Sequence, residues 1–228
     1  MRCRFNPIPD TRYPIPDTML YYISRAIFTI IMKVLLRVRI YGTDNLPEPP
    51  FIITSNHASL MDPPLVGLAC SSYRVDFMAK QELFDVPVIG AWTRNVGCIP
   101  LRRGKNSIKG IKEALRRLRN GYVVGVFPEG TRSVDGNLQE AKVGTGFLVM
   151  KARVPVVPVY VYGSAEAFPK GKGIKLGTRV GAVIGDPVSP EEYSPLAGKE
   201  GKGYEAVSNL IMDRIFRLKE KYESEYRQ

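Results

Sequence analysis

The chain of 228 residues contains one histidine, one tryptophan and three cysteines. Cys3, Cys70 and Cys98 are scattered and odd in number, so they indicate neither a disulfide framework nor a zinc motif. With a single His and no clustered Cys, the sequence argues against a zinc site, and we expect no bound metal. This use of cysteine is typical of a reducing compartment.

Long apolar runs are missing too. The most apolar segment, residues 19–37, is interrupted by Arg25 and Lys33 and is barely long enough for a membrane-spanning helix. The first 18 residues contain four prolines. We expect them to form an irregular lead-in and not a signal peptide, because no small-residue cleavage site follows an apolar core.

Residues 19–37 have the periodicity of an amphipathic helix. Its wide apolar face contains Leu20, Ile23, Ile27, Ile30 and Val34, and its narrower polar stripe contains Arg25, Thr29, Lys33 and Arg37. Such a helix can span a membrane, lie in the membrane interface or pack on a core. The basic stripe favours the interface. We therefore divide the chain into a lead-in and membrane-interface helix, 1–37, and a second domain, 38–228.

The net charge of +11 is concentrated in the first half of the chain. Residues 1–120 contain 18 basic and 9 acidic side chains, whereas residues 121–228 contain 15 and 13. Within Arg102–Arg119 there are eight basic residues and one acid, Glu113. Such a surface attracts phosphorylated molecules, an acidic carrier protein, anionic lipid or nucleic acid, and charge does not choose among them.

After residue 38, short strands alternate with helices. The predicted strands are Val38–Tyr41, Phe51–Ser55, Val75–Ala79, Cys98–Leu101, Tyr122–Phe127, Val156–Tyr162 and Arg179–Ile184. The predicted helices are Pro63–Cys70, Val86–Asn95, Asn106–Asn120, Gly144–Arg153 and Tyr204–Glu225. This order predicts a single layered α/β domain, with a largely parallel or mixed central sheet flanked by helices.

The single histidine, His57, follows a predicted strand and precedes Asp62 by five residues. An imidazole beside a carboxylate is a candidate general base with its orienting acid. An ordinary loop residue is the alternative, with Asp62 as the cap of a helix that has Pro63 at its first position.

Charged residues follow other predicted strands. Lys80, Arg102 and Arg103 follow two of them, and Pro128-Glu129-Gly130-Thr131-Arg132 follows a third. A parallel sheet brings such ends to one edge, where ligands bind. The arrangement suits a phosphorylated substrate with a hydroxyl to activate. A plain turn with a Glu129–Arg132 ion pair is the alternative for the third segment.

Four blocks together carry a resemblance. His57 with Asp62 resembles the H-x4-D motif of the glycerophospholipid acyltransferases, and Phe127–Ser133 resembles their F-P-E-G-T-R-S motif. Gly97–Arg103 and Val154–Val159 resemble the two remaining blocks. The match covers roughly residues 50–165 in the family's order, and the PlsC-type 1-acylglycerol-3-phosphate acyltransferases are the subgroup most similar to it.

The resemblance implies acyl transfer from a thioester to the sn-2 hydroxyl of 1-acylglycerol 3-phosphate, without a cofactor. His57 would be the base and Asp62 its orienting acid, and Cys98 is a rival nucleophile. Asn56 would help to bind the oxyanion or position the loop. The residues expected to bind the phosphate and glycerol are Glu129, Gly130, Thr131, Arg132, Arg103, Lys80 and Lys142.

The block Gly97–Arg103 departs from the family pattern. Pro100 replaces an aromatic residue and Arg102 replaces an acid. Because this block is associated with acceptor binding, glycerol 3-phosphate or another lysophospholipid stays open as the acceptor.

The expected partners are membrane lipid, the lysophospholipid and a donor that is either acyl-CoA or an acidic acyl-carrier protein. We expect a monomer, peripheral or monotopic on the cytoplasmic face of the membrane. Two rival classes explain less: a basic nucleic-acid binder, for which no recognised motif is present, and a non-catalytic membrane-binding module.

Overall fold

A computed structural model of the protein describes residues 18–102, 107–169, 171–198 and 202–227. The strands are β1 Arg37–Tyr41, β2 Ile52–Ser55, β3 Val75–Lys80, β4 Ile99–Leu101, β5 Val123–Val126, β6 Val156–Tyr162 and β7 Arg179–Ile184. The α-helices are α1 Thr18–Leu35, α2 Asp62–Ala69, α3 Ile89–Asn95, α4 Ser107–Arg119, α5 Val143–Ala152, α6 Ser164–Ala167, α7 Pro190–Tyr193 and α8 Gly203–Lys221.

The seven strands form one sheet in the order β1-β7-β6-β2-β5-β3-β4. All neighbouring pairs are parallel except β6 and β7, which are antiparallel. The central strands β2 and β5 are buried along their whole length, as expected of parallel strands covered on both faces. The predicted α/β domain with a mixed sheet is confirmed.

Each face of the sheet is covered by its own apolar core. On one face, Met32 and Leu36 from α1 and its following residue join Leu65 and Val66 of α2. On the other face, α4, α5 and α8 supply the residues Ala114, Leu118, Leu148, Val149, Val207, Ile211 and Ile215. Because β2, β5, β3 and β4 are parallel to one another, their carboxyl ends lie at the same end of the sheet, between the two helical layers.

Two predicted helix boundaries differ from the structure by three or more residues, and the helix predicted over 19–37 ends at Leu35, with Arg37 as the first residue of β1. The helix predicted to begin at Val86 begins at Ile89, because Pro87-Val88-Ile89 forms a γ-turn in which the amide of Ile89 donates to the carbonyl of Pro87 at 2.7 Å. The α-helix predicted to reach Glu225 ends at Lys221 and continues as one π-helical turn, Tyr222–Tyr226.

Helix α1 presents its apolar stripe outward. Ile23, Ile27, Ile30 and Val34 are exposed, and Val34 retains 76% of its accessible surface. The side that meets the protein includes polar groups, since Arg25 donates to the carbonyl of Ser71 at 2.8 Å. The alternative in which this apolar stripe packs on the core is therefore wrong. Among the helices of the described residues, none combines the length and hydropathy needed to cross a bilayer.

A buried ion network joins β3 to α4. The guanidinium of Arg117 donates to the carboxylates of Asp76 and Glu113, and Arg74 donates to Asp76 at 2.9 Å. The same Arg117 also donates to the carbonyl of Gly97 at 2.6 Å. Asp76, Glu113 and Arg117 are each at most 5% exposed, so the network is desolvated and fixes the turn that precedes β4.

Candidate active site

His57 lies two residues beyond the end of β2 and is held in place by Asn56. The side-chain amide of Asn56 donates to the carbonyl of Val161 at 2.9 Å, and its oxygen accepts from the amide of Val161 at 2.7 Å. Both polar ends of this side chain are therefore engaged by β6. The paired bonds fix the backbone from which His57 projects.

The carboxylate of Asp62 closes the loop between β2 and α2. Its Oδ2 is 2.8 Å from Nδ1 of His57 and also accepts from the amides of Ala58 and Ser59 at 2.6 and 2.7 Å. Asp62 is completely buried. It is the first residue of α2 and follows the cap residue Met61, so the alternative in which Asp62 caps the helix is wrong. Its side chain points back to the histidine loop.

The segment Phe127–Ser133 directly follows the neighbouring strand, β5, and contacts His57. The carboxylate of Glu129 accepts from the amide of His57 at 3.0 Å, and the amide of Ser133 donates to the carbonyl of His57 at 2.7 Å. The ring of Phe127 stacks on the imidazole, with 4.1 Å between ring centroids. The segment Phe127–Ser133 thus contacts the amide, the carbonyl and the ring of His57.

Glu129 is completely buried, and its Oε2 has no hydrogen-bond partner within the described part of the chain. Burial is the largest cause that raises the pKa of Glu129 to about 7, and the negative charge of Asp62 contributes to this rise. Hydrogen bonds from the amides of His57 and Gln139 to the carboxylate act in the opposite direction. The alternative of a Glu129–Arg132 ion pair is wrong, because this carboxylate binds backbone amides.

Replacing Glu129 with glutamine should change how stability depends on pH. The pKa of Glu129 is higher in the folded state than its ordinary value, so the folded protein binds this proton more tightly than the unfolded chain does. The contribution of Glu129 to the free energy of unfolding therefore falls as pH rises towards 7 and above. Relative to Glu129→Gln, the wild type should lose about 1–3 kcal/mol between about pH 5 and about pH 8.

Urea unfolding at a series of pH values measures this difference. Glu166→Gln is the matched control, because Glu166 is 62% exposed in a surface pair with Lys175. A difference between wild type and Glu129→Gln that stays constant with pH would show that Glu129 does not titrate in this range.

The other predicted site residues that the structure describes follow the carboxyl ends of β3 and β5 or lie next to these segments. Gly130 adopts a φ of 66°, and a Cβ added to it would lie 3.2 Å from the side chain of Lys142, so these two residues are neighbours. Thr131 and Arg132 are half-buried, whereas Lys142 and Lys80 are exposed. Lys80 ends β3, one strand beyond β5. Arg103 lies outside the described residues.

Three features of the site were not predicted as site residues: the amide of Ser133, the ring of Phe127, and the loop amides of Ala58 and Ser59. Ser133 and Phe127 belong to a motif visible in the sequence, but their contacts depend on the pairing of β2 with β5. The rival nucleophile Cys98 is a poor one here, because burial raises the pKa of its thiol to about 12.

Comparisons with known proteins identify the family of the chain. The family model described as Acyltransferase matches residues 37–162. The chain is 29% identical to the 1-acyl-sn-glycerol-3-phosphate acyltransferase of Bacillus subtilis (strain 168), over 84% of this chain and 93% of that protein. It is 32% identical to the chloroplastic 1-acyl-sn-glycerol-3-phosphate acyltransferase BAT2 of Brassica napus, over 84% of this chain and 56% of that protein.

A solved structure gives the same result. The crystal structure of the 1-acyl-sn-glycerophosphate acyltransferase PlsC from Thermotoga maritima superposes with a TM-score of 0.68 at 29% identity, covering 88% of this chain and 78% of that chain. The matched residues 37–162 contain His57, Asp62 and the whole Phe127–Ser133 segment. The chain therefore belongs to the acyltransferase family.

Proposed function

We propose that the protein transfers a fatty acyl group from an acyl thioester to the free sn-2 hydroxyl of 1-acylglycerol 3-phosphate, giving phosphatidic acid. The observation that carries this proposal is the 2.8 Å contact between Nδ1 of His57 and the buried Asp62, beside a loop that contributes Arg132. The named relatives from Bacillus subtilis and Brassica napus support the choice of acceptor.

His57 acts as the general base in this proposal. Its Nδ1 is occupied by Asp62, so Nε2 is the nitrogen that takes the proton from the acceptor hydroxyl. The oxygen then attacks the thioester carbonyl, and the thiolate leaves. Asp62 fixes the tautomer and stabilises the imidazolium, as the acid does in a Ser-His-Asp triad, while the substrate supplies the hydroxyl.

The acceptor phosphate binds at the cations beside this base. Arg132 is half-buried and immediately precedes Ser133, whose amide bonds the backbone of His57. A guanidinium offers a planar pair of donors to phosphate oxygens. Lys142, beside Gly130, and Lys80 add positive charge at the same edge. Glu129 holds the histidine loop through its bond to the amide of His57.

The outward apolar stripe of α1 lies in the membrane interface in this proposal. Ile23, Ile27, Ile30 and Val34 enter the acyl boundary, and Lys33 stays near the lipid phosphates. The protein is then peripheral, on the cytoplasmic face, where both the lysophospholipid and a soluble thioester donor reach the site.

An acyl-transfer assay with purified protein tests the activity and the role of Arg132 together. The acceptors are 1-acylglycerol 3-phosphate, glycerol 3-phosphate, other lysophospholipids and a monoacylglycerol, each with acyl-CoA and acyl-carrier protein as donors. Arg132→Ala should raise KM for 1-acylglycerol 3-phosphate at least about tenfold, because a charge-assisted contact to phosphate is lost. Activity on the monoacylglycerol should be equal in wild type and variant.

Arg217→Ala is the control, since Arg217 pairs with Asp213 on the surface of α8 and should leave KM unchanged. An unchanged KM in Arg132→Ala would remove the phosphate-binding role. If the wild type transferred acyl groups to none of these lysophospholipids, the proposed reaction itself would be wrong.

A further inference from the structure

The outer side of helix α4 presents a row of basic side chains. Four basic residues are separated by three, four and three positions, so they project from one side of the helix. These four residues, which we call the α4 stripe, are Lys109, Lys112, Arg116 and Arg119. Arg116 is half-buried and the three others are exposed. The stripe extends over about 15 Å of the helix, at about 1.5 Å per residue.

The one acid of this helix adds no negative charge to its surface. Glu113 is only 5% exposed. Its two carboxylate oxygens accept from the guanidinium of Arg116 at 2.8 Å, and one of them also accepts from Arg117 at 2.9 Å. Within the described part of the chain, no carboxylate forms an ion pair with the other three residues of the stripe. Their positive charge is therefore available to a partner.

The elements that pack against α4 do not reverse this charge. Its main neighbours are β4, β5 and α5, and the single charged residue within these three elements is a cation, Lys151. Exposed acids occur in other segments. Glu82 and Asp85 lie in the turn that packs mainly on α3, and Glu140 precedes α5. Positive charge therefore predominates on the outer face of α4.

The α4 stripe and α1 lie on opposite sides of the sheet. Helix α1 contributes Met32 to the core on one face, whereas α4 contributes Ala114 and Leu118 to the core on the other face. A bilayer that takes up the outward apolar stripe of α1 therefore leaves the outer face of α4 in water. The exposed apolar side chain beside the α4 stripe is Ile108, which is much less than the apolar face that an interfacial helix inserts. These features favour a water-soluble anionic partner over a lipid surface.

Strand β4 connects α4 with the candidate active site. Gly110 of α4 lies against β4, because a Cβ added to it would be 2.7 Å from the carbonyl oxygen of Pro100. The carboxyl end of β4 lies at the same end of the sheet as that of β2, and the exposed Arg102 directly follows it. These two strands are three strand spacings apart in the sheet, which is about 14 Å. A partner bound on α4 is therefore close enough to deliver a thioester on a flexible arm to His57.

We propose that the α4 stripe is the docking surface for the acyl donor, and that this donor is an acidic carrier protein that bears the acyl thioester. The inference rests on the proposed function, because that reaction consumes an acyl thioester. A small nucleotide thioester binds in a concave pocket, whereas a row of cations on a convex helix complements the negatively charged surface of a protein. Complementary charges of this kind also accelerate association.

Acyl-transfer kinetics with two donors that carry the same acyl chain, acyl-carrier protein and acyl-CoA, test this surface. The double variant Lys109→Glu, Lys112→Glu should raise KM for acyl-carrier protein at least about tenfold, because two attractive charges become repulsive. Added salt should reduce this difference, since it screens exposed charges. KM for acyl-CoA and kcat with either donor should stay near the wild-type values, because the candidate active site is unchanged.

Arg217→Glu, Lys221→Glu is the matched control. It changes the net charge by the same amount, and both residues are exposed on α8. Tyr222, which follows them, contacts Tyr160 of β6, and β6 is four strands away from β4. This variant should leave KM for both donors unchanged.

Four results would overturn the inference. They are an unchanged KM for acyl-carrier protein in the folded double variant, an equal rise in KM for both donors, an equal rise in the control variant, and an equally large loss of binding to phosphatidylglycerol vesicles. The last result would make the stripe a lipid contact.

Direct binding of a fluorescently labelled carrier protein separates this inference from the proposed function. Weaker binding by the α4 double variant, but not by the control variant, is the expected result, and equal binding by all three proteins would refute the docking surface. If the wild type transfers acyl groups from neither donor, the proposed reaction fails, and the binding measurement still decides the surface. If the wild type uses acyl-CoA but does not bind the carrier protein, the docking surface fails and the reaction stands.

Discussion

Replacing His57 with alanine should lower kcat for acyl transfer at least about a hundredfold, the usual loss when a general base is removed. No other histidine exists in the chain to substitute for it. Vesicle binding and the unfolding temperature should change little, because the ring is partly exposed while both backbone groups of His57 keep their bonds to Glu129 and Ser133. A kcat assay at saturating acceptor measures the effect.

Asp62→Asn is the companion variant. It retains one oxygen for the amides of Ala58 and Ser59 but loses the charge that stabilises the imidazolium, so kcat should fall while acceptor KM is nearly unchanged. Nitrogen NMR of the single imidazole should show the proton on Nδ1 in the resting wild type. Retention of a tenth or more of the activity by His57→Ala would exclude this residue as the base.

Replacing Asp76 with alanine should lower the free energy of unfolding by about 3–5 kcal/mol, because it leaves Arg117 buried without one of its two carboxylates. Arg117 is 5% exposed and cannot recover the lost interaction from water. It is also anchored by Glu113 and by the carbonyl of Gly97, so it cannot swing out without breaking those bonds. Urea unfolding followed by circular dichroism measures the loss.

Glu166→Ala is the matched surface control for this second result. It removes the carboxylate of an ion pair with Lys175 in which both side chains are more than 60% exposed. Such pairs contribute about 0–1 kcal/mol, since solvent screens them. If Asp76→Ala cost no more than this control, the buried network would be unimportant for stability.

The strands could be predicted from sequence because each is a short apolar run between turn residues, and all seven predicted strands are present. The two short helices α6 and α7 were missed, because four residues are too few for a helical period to be visible. The start of α3 was misplaced because apolar Val86 and Val88 continue the helical pattern into the γ-turn.

The sequence by itself determined the composition of the candidate site. One histidine, an acid five residues later, and a Glu-Gly-Thr-Arg segment after another strand are local facts, and they specify a chemistry and a family resemblance. The alternation of strands and helices likewise predicts an α/β layered fold. The apolar runs within the strands are typical of strands that helices cover on both faces.

Only the tertiary structure decided which groups meet. The pairing of β2 with β5 brings the carboxylate of Glu129 to the amide of His57, although 72 residues separate them. The network of Asp76 with Arg117 and the outward direction of the α1 stripe have the same origin. Burial and hydrogen bonds between distant segments depend on strand order and helix placement, and no local pattern of residues encodes either of these.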